Sequence, residues 1–160
     1  MEKLDVRMIK LEPMRVICFN GFGPHPEELA WNKLTTWAKA KGLWNDGKTH
    51  RLFGYNHPNP SPASPNYGYD VWMTVDETVQ AEGEARIIQV DGGLYAVTRC
   101  HAGPQGDDIF ETWQKLVAWV EHSPYRNAHM RRQWLEEHLS LLNPLADGSF
   151  VLDLMEPVVE

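Results

Sequence analysis

Residues 14–24 read MRVICFNGFGP and residues 94–104 read LYAVTRCHAGP, two apolar runs of equal length that close on Gly-Pro and align without a gap. Each is followed by an acidic pair, Glu27-Glu28 or Asp107-Asp108. Negative charge favours the positive end of a helix, and Pro26 suits a first helical turn. Next come Trp31-Asn32-Lys33-Leu34-Thr35-Thr36-Trp37 and Trp113-Gln114-Lys115-Leu116-Val117-Ala118-Trp119, one pattern repeated 82 residues later after a two-residue insertion. A duplicated strand followed by a duplicated helix predicts an internal repeat. Ile109, Trp113, Leu116, Val117 and Val120 recur at helical spacing, as do Trp31, Leu34 and Ala38, so each helix is expected to bury one face.

Working outward, the two halves continue to correspond: RLFGYNHP then YGYDVWMTV in the first, QWLEEHL then FVLDLMEPV in the second. Asp70 and Asp153 then occupy matching places in the last strand. The order is strand, helix, strand, strand, twice over, with repeats at about 4–76 and 83–158 joined near 76–83 inside one domain of 1–160. Thr49 to Phe53 and Tyr69 to Val75 read as strands, and Val90-Asp91-Gly92-Gly93 as a turn or bulge. Four prolines in HPNPSPASPN exclude a helix and a central strand there. The expected class is α+β, with a largely antiparallel sheet covered by helices on one face.

Composition narrows the function classes. At 160 residues, 42% hydrophobic and 23% charged, the chain can bury a core without metal or disulfide staples. No apolar run approaches the roughly 20 residues that span a bilayer, and MEKLDVRMIKLEPMR lacks the apolar centre of a signal peptide, which points to a cytoplasmic protein without a membrane partner. A net charge of -7 disfavours direct contact with nucleic acid. Cys18 and Cys100 read as buried thiols. The histidines His25, His50, His57, His101, His122, His129 and His138 show no zinc-ligand spacing with them, so neither metal nor cofactor is expected. No nucleophile elbow, phosphate loop or dinucleotide fingerprint is present.

Taken in order, several segments resemble the GyrI-like small-molecule-binding domain, the effector-binding domain of bacterial AraC-type and MerR-type regulators. They are Gly23-Pro24 before a Trp-bearing helix, Tyr69-Asp70-Val71, Gly92-Gly93, Leu135-Glu136-Glu137-His138-Leu139 followed by Asn143-Pro144, and Asp153-Leu154-Met155-Glu156-Pro157-Val158. The resemblance covers nearly the whole chain. It implies two strand-helix-strand-strand units related by a pseudo-two-fold axis, with ligand bound in the cleft between them. Its members include drug-binding and gyrase-modulating proteins, sensing halves of transcription factors, and hydrolases of cyclopropane-bearing genotoxins.

The family's glutamate of a Glu-x-Tyr-Leu strand falls on Glu136, and His138 stands where the family usually carries tyrosine. A carboxylate in a poorly hydrated aromatic site attracts a cation or takes up a proton. Read without the resemblance, RNAHMRRQWLEEHL is equally a helix carrying a solvated Glu136. Flat rings hold planar or cationic molecules, which makes Tyr69, Trp72 and Trp113 the first aromatic candidates, beside Tyr55, Phe110 and His138. The expectation is a stand-alone protein that binds a small organic ligand, amphipathic and cationic, as effector or sequestered drug. A hydrolase using Glu136 and Tyr69 is the alternative reading, and a protein partner, gyrase or a regulator, is the third.

Overall fold

The computed structural model describes residues 4–44, 50–57, 61–141 and 145–160. Thr49, part of the expected HPNPSPASPN loop (58–60) and the Asn143-Pro144 pair lie outside the described residues. The elements in chain order are β1 (Val6–Leu11), β2 (Met14–Gly23), α1 (Pro26–Ala40), β3 (Leu52–Asn56), β4 (Tyr67–Thr74), β5 (Arg86–Val90), β6 (Gly93–Ala102), α2 (Ile109–Glu121), β7 (Arg126–Asn127), β8 (Leu135–His138) and β9 (Phe150–Val159). The fold is α+β. It divides into two compact units, Met14–Val90 and Met1–Pro13 with Asp91–Glu160.

In the Met14–Val90 unit the strands run β5-β2-β4-β3, antiparallel throughout. Pro26 opens α1, as its fixed φ favours, and α1 buries Ala30, Leu34 and Ala38 against one face of the sheet. The expected stripe was Trp31, Leu34, Ala38. Ala30 takes the first place because helix and strand touch backbone to backbone at Gly21, where an added Cβ would meet the Pro26 carbonyl oxygen and come within 2.8 Å of the Ala30 nitrogen. An indole has no room there. Trp37 instead tilts against Phe19, ring centroids 6.0 Å apart, and its Nε1 donates to Glu82.

In the second unit the strands run β1-β6-β9-β8, antiparallel, with β7 added to the end of β9. α2 begins directly after Asp108 and packs Leu116 and Val120 on Ala96, Cys100, Ala102, Leu152, Leu154 and Val158. The edge strands do not follow the chain: β1 precedes β2 but pairs with β6, while β5 precedes β6 but pairs with β2. The boundary between the two compact units accordingly falls after Val90, and residues 1–13 belong with the second.

Side-chain directions shift the sequence alignment by one residue. Gly21 and Phe19 face α1, whereas Ala102 and Cys100, not His101 and Arg99, face α2. Asp70 lies opposite Asn20 and Asp153 opposite Arg99, both on the face of their sheet away from the helix. Each is buried and held by arginine: Arg86 lies 3.6 Å from Asp70, and Arg99 and Arg7 lie 2.6 and 2.9 Å from Asp153.

Gly92 tests the turn between β5 and β6. Its φ is +79°, and a Cβ there would collide with the Leu11 carbonyl oxygen. Gly92→Ala should destabilise the protein by about 2–4 kcal/mol in urea unfolding, combining the positive-φ cost with backbone displacement; a loss within about 0.5 kcal/mol would contradict this geometry.

Candidate functional site

The helix-facing side of the second unit carries the acidic site. Alternation along β8 places Glu136 opposite Leu154 and His138 opposite Leu152, both partners belonging to the apolar cluster under α2. Glu137 turns the other way, opposite Asp153. The segment read equally well as helix is thus a strand where it matters. From α2, Trp113 Nε1 donates to Glu136 Oε2 at 3.2 Å, and Trp134 meets the Trp113 ring edge-on, centroids 5.5 Å apart at 72°. A carboxylate can accept further hydrogen bonds beyond this one, so it can hold an indole and still receive a ligand's donor.

The groups around Glu136 respond to it and to burial. The Cys100 thiol is pushed up, chiefly by burial, with the charges of Asp108 and Glu136 adding to it and a hydrogen bond with Thr112 opposing. His138 is half-buried, and loss of hydration holds its imidazole down at about 4. It stays neutral through the range in which a free histidine takes up a proton. As pH falls below 6.5 the unfolded chain gains that proton and the folded chain does not, so His138 withdraws stability between pH 6.5 and about 4. Urea midpoints of His138→Gln should therefore fall less steeply than wild type over that interval; parallel profiles would contradict a desolvated imidazole. Phe110, 75% exposed in the first turn of α2, stands apart from this packing.

The three aromatics proposed for the first half divide between the two faces of their sheet. Tyr69 pairs with Gly21 on the α1 side, its ring lying over Gly54, where a Cβ would strike the Tyr69 hydroxyl. Tyr55 and Trp72 lie on the opposite face, T-shaped with centroids 5.1 Å apart. There Asp70 accepts from Tyr55 Oη at 2.9 Å and from Asn20 Nδ2 at 2.6 Å. Burial, then the Asp70 charge, raises the Cys18 thiol to about 12 and drives the Tyr55 hydroxyl up as well. Asp70 thus ties Tyr55 and Asn20 together, while the buried Trp72 Nε1 beside them has no hydrogen-bond partner among the described residues, and Tyr69 shares no face with this cluster. Among the described residues, no three His, Cys, Asp or Glu side chains gather as a metal ion would require, and no helix is long and apolar enough to cross a membrane.

The model of the GyrI-like small molecule binding domain matches residues 4–138. The chain belongs to this GyrI-like family. No curated protein matches its sequence. Among solved structures, the C-terminal domain of EcmrR superposes with a TM-score of 0.74 at 12% identity, over 98% of each chain. EcmrR in its complex with DNA gives 0.76 at 12% identity; 98% of this chain is covered, spanning 57% of that one, a little over half its length. A hydrolase from Listeria innocua gives 0.68 at 13% identity over 98% of this chain and 93% of that one. The protein SAV2435, solved with tetraphenylphosphonium bound, gives 0.62 at 11% identity over 98% and 94%. At such identities these likenesses establish the fold.

Two residues of this GyrI-like domain escaped the reading of its sequence as site residues. Trp134 is not among the aromatic candidates drawn from the sequence, yet it is the ring that meets Trp113. Glu156 enters the sequence reading only as part of the Asp153–Val158 segment. It is 1% exposed on β9, facing α2 between Leu154 and Val158. The period-2 run Leu152, Leu154, Glu156, Val158 carried the signal, since a carboxyl at an otherwise apolar inward position must be satisfied or used.

Proposed function

We propose that this domain binds an amphipathic, cationic small molecule, with Glu136 as the counter-charge and the Trp113–Trp134 pair as the aromatic wall. The observation that carries this reading is the hydrogen bond from Trp113 Nε1 to Glu136 Oε2 with Trp134 set edge-on beside it. The indole fixes one carboxylate oxygen in a partly dehydrated setting, where attraction to a cation is stronger than in water, and the ring faces add to the negative potential. In the family setting such binding serves as effector sensing or as sequestration. The likeness to a tetraphenylphosphonium-bound structure makes that delocalised cation a fitting probe.

Tetraphenylphosphonium should quench the intrinsic tryptophan fluorescence saturably. Glu136→Gln keeps the shape and removes the charge, and it should weaken the apparent affinity tenfold or more, which corresponds to about 1.4 kcal/mol or above. Equal affinity of the two proteins would overturn the assignment of Glu136. The hydrolase reading, with Glu136 as general base, would gain if a strained cyclopropane compound were turned over and the same substitution abolished that turnover.

A further inference from the structure

A cavity of about 480 Å³ opens in the second unit beside the last turns of α2, lined by Val117, Val120 and Glu121, by Tyr125, Arg126, Asn127 and His129 after the helix, and by Trp134 and Glu156. Glu136 and Trp113 are not part of its wall. The volume falls within the roughly 300–1,000 Å³ usual for small-molecule sites. Glu156 is nearly fully buried. Its Oε2 accepts from Asn127 Nδ2 at 2.9 Å, while its Oε1 has no hydrogen-bond partner among the described residues. Asn127 is itself held: its Oδ1 accepts the His129 backbone N–H at 2.8 Å and lies 2.5 Å from His129 Nδ1. One oxygen is therefore fixed from behind and the other is left over.

An unpaired carboxyl oxygen beside Leu154 and Val158 is costly, and an apolar side chain or a satisfied amide would serve packing better. We infer that this cavity is a second ligand site of the domain, taking a small protonated amine whose ammonium donates to Glu156 Oε1 while its apolar part lies against Tyr125 and Trp134. The charged and titratable groups facing the cavity are Glu121 from α2, Tyr125, Arg126 and His129 from the segment after it, and Glu156 from β9. Burial, opposed by the Asn127 hydrogen bond and reinforced by Glu121, raises the Glu156 carboxyl to about 7, so ionisation and cation binding are coupled near neutral pH. The site shares Trp134 with the Glu136 site but takes its carboxyl from β9.

Calorimetric titration with phenethylamine, cationic from pH 6 to pH 8, tests this. With the carboxyl half-ionised near pH 7, wild-type affinity should rise about tenfold between pH 6 and pH 8 by linkage. Glu156→Gln should lose at least tenfold at pH 8 and become flat with pH. Val117→Phe, which fills the cavity from α2 and leaves the carboxyl in place, should also lose binding. The inference is overturned if wild type shows no saturable binding at millimolar phenethylamine, if its affinity is flat from pH 6 to pH 8, or if Glu156→Gln binds as wild type does.

Discussion

Truncating Leu116 to alanine should cost about 3–4 kcal/mol in urea unfolding, and lower the melting temperature of a chain of this size by roughly 10 °C. Leu116 is fully buried, and α2 inserts only Leu116 and Val120 completely into the cluster formed by Ala96, Cys100, Leu152, Leu154 and their neighbours. Removing three carbons there leaves a void that the antiparallel β6–β9 ladder resists closing, because its strands are held by eight successive residue pairs. The effect should extend to binding. Trp113 lies one helical turn before Leu116, and its hydrogen bond to Glu136 depends on how α2 sits on the sheet. Leu116→Ala should accordingly bind tetraphenylphosphonium more weakly even where it remains folded. A cost below about 1 kcal/mol would mean that α2 is not held by this residue.

Glu156→Gln should be a different kind of change, one whose effect on stability depends on pH and turns in the variant's favour as pH rises. The folded carboxyl titrates at about 7 and the ordinary one at 4.5. Above pH 7 both states are ionised and the fold bears the full cost of a buried charge; below 4.5 both are protonated and the cost is gone. Stability contributed by the neutral carboxyl is therefore present below pH 4.5 and lost as pH rises to about 7. The interval is worth on the order of 3 kcal/mol, so the stability of Glu156→Gln relative to wild type should rise by about that much from pH 4.5 to pH 8. Wild type alone hides the trend, because His138 acts in the opposite direction over much of the same range. The difference between variant and wild type isolates it. A difference that does not vary with pH would contradict the raised carboxyl.

Much of the architecture was legible because it rests on local signals. Pro26 and Asp108 mark where both helices begin, the Gly-Pro closures mark the ends of β2 and of the segment after β6, and Gly92-Gly93 forms the left-handed turn. The edge strands were not legible: nothing local in Val6–Leu11 or Arg86–Val90 says which neighbour each will pair with, and each pairs away from the strand next to it in the chain. The one-residue slip between β2 and β6 escaped for a related reason, since an alignment of letters carries no side-chain direction. Period-2 alternation could have separated Tyr69 from Trp72, three residues apart and so on opposite faces. Glu136 came from resemblance. Its contact with Trp113 joins a strand register to a helix phase 23 residues away, and neither is visible in a local window.

Binding of a cation by Glu136 and the tryptophans beside it can be read at the indoles themselves. Its most direct test follows the indole N–H resonances of the seven tryptophans during titration with tetraphenylphosphonium. Trp113 and Trp134 should shift together to saturation with one dissociation constant, and both responses should be lost in Glu136→Gln. Binding that leaves Trp113 and Trp134 unmoved, or that moves them equally in Glu136→Gln, would contradict it.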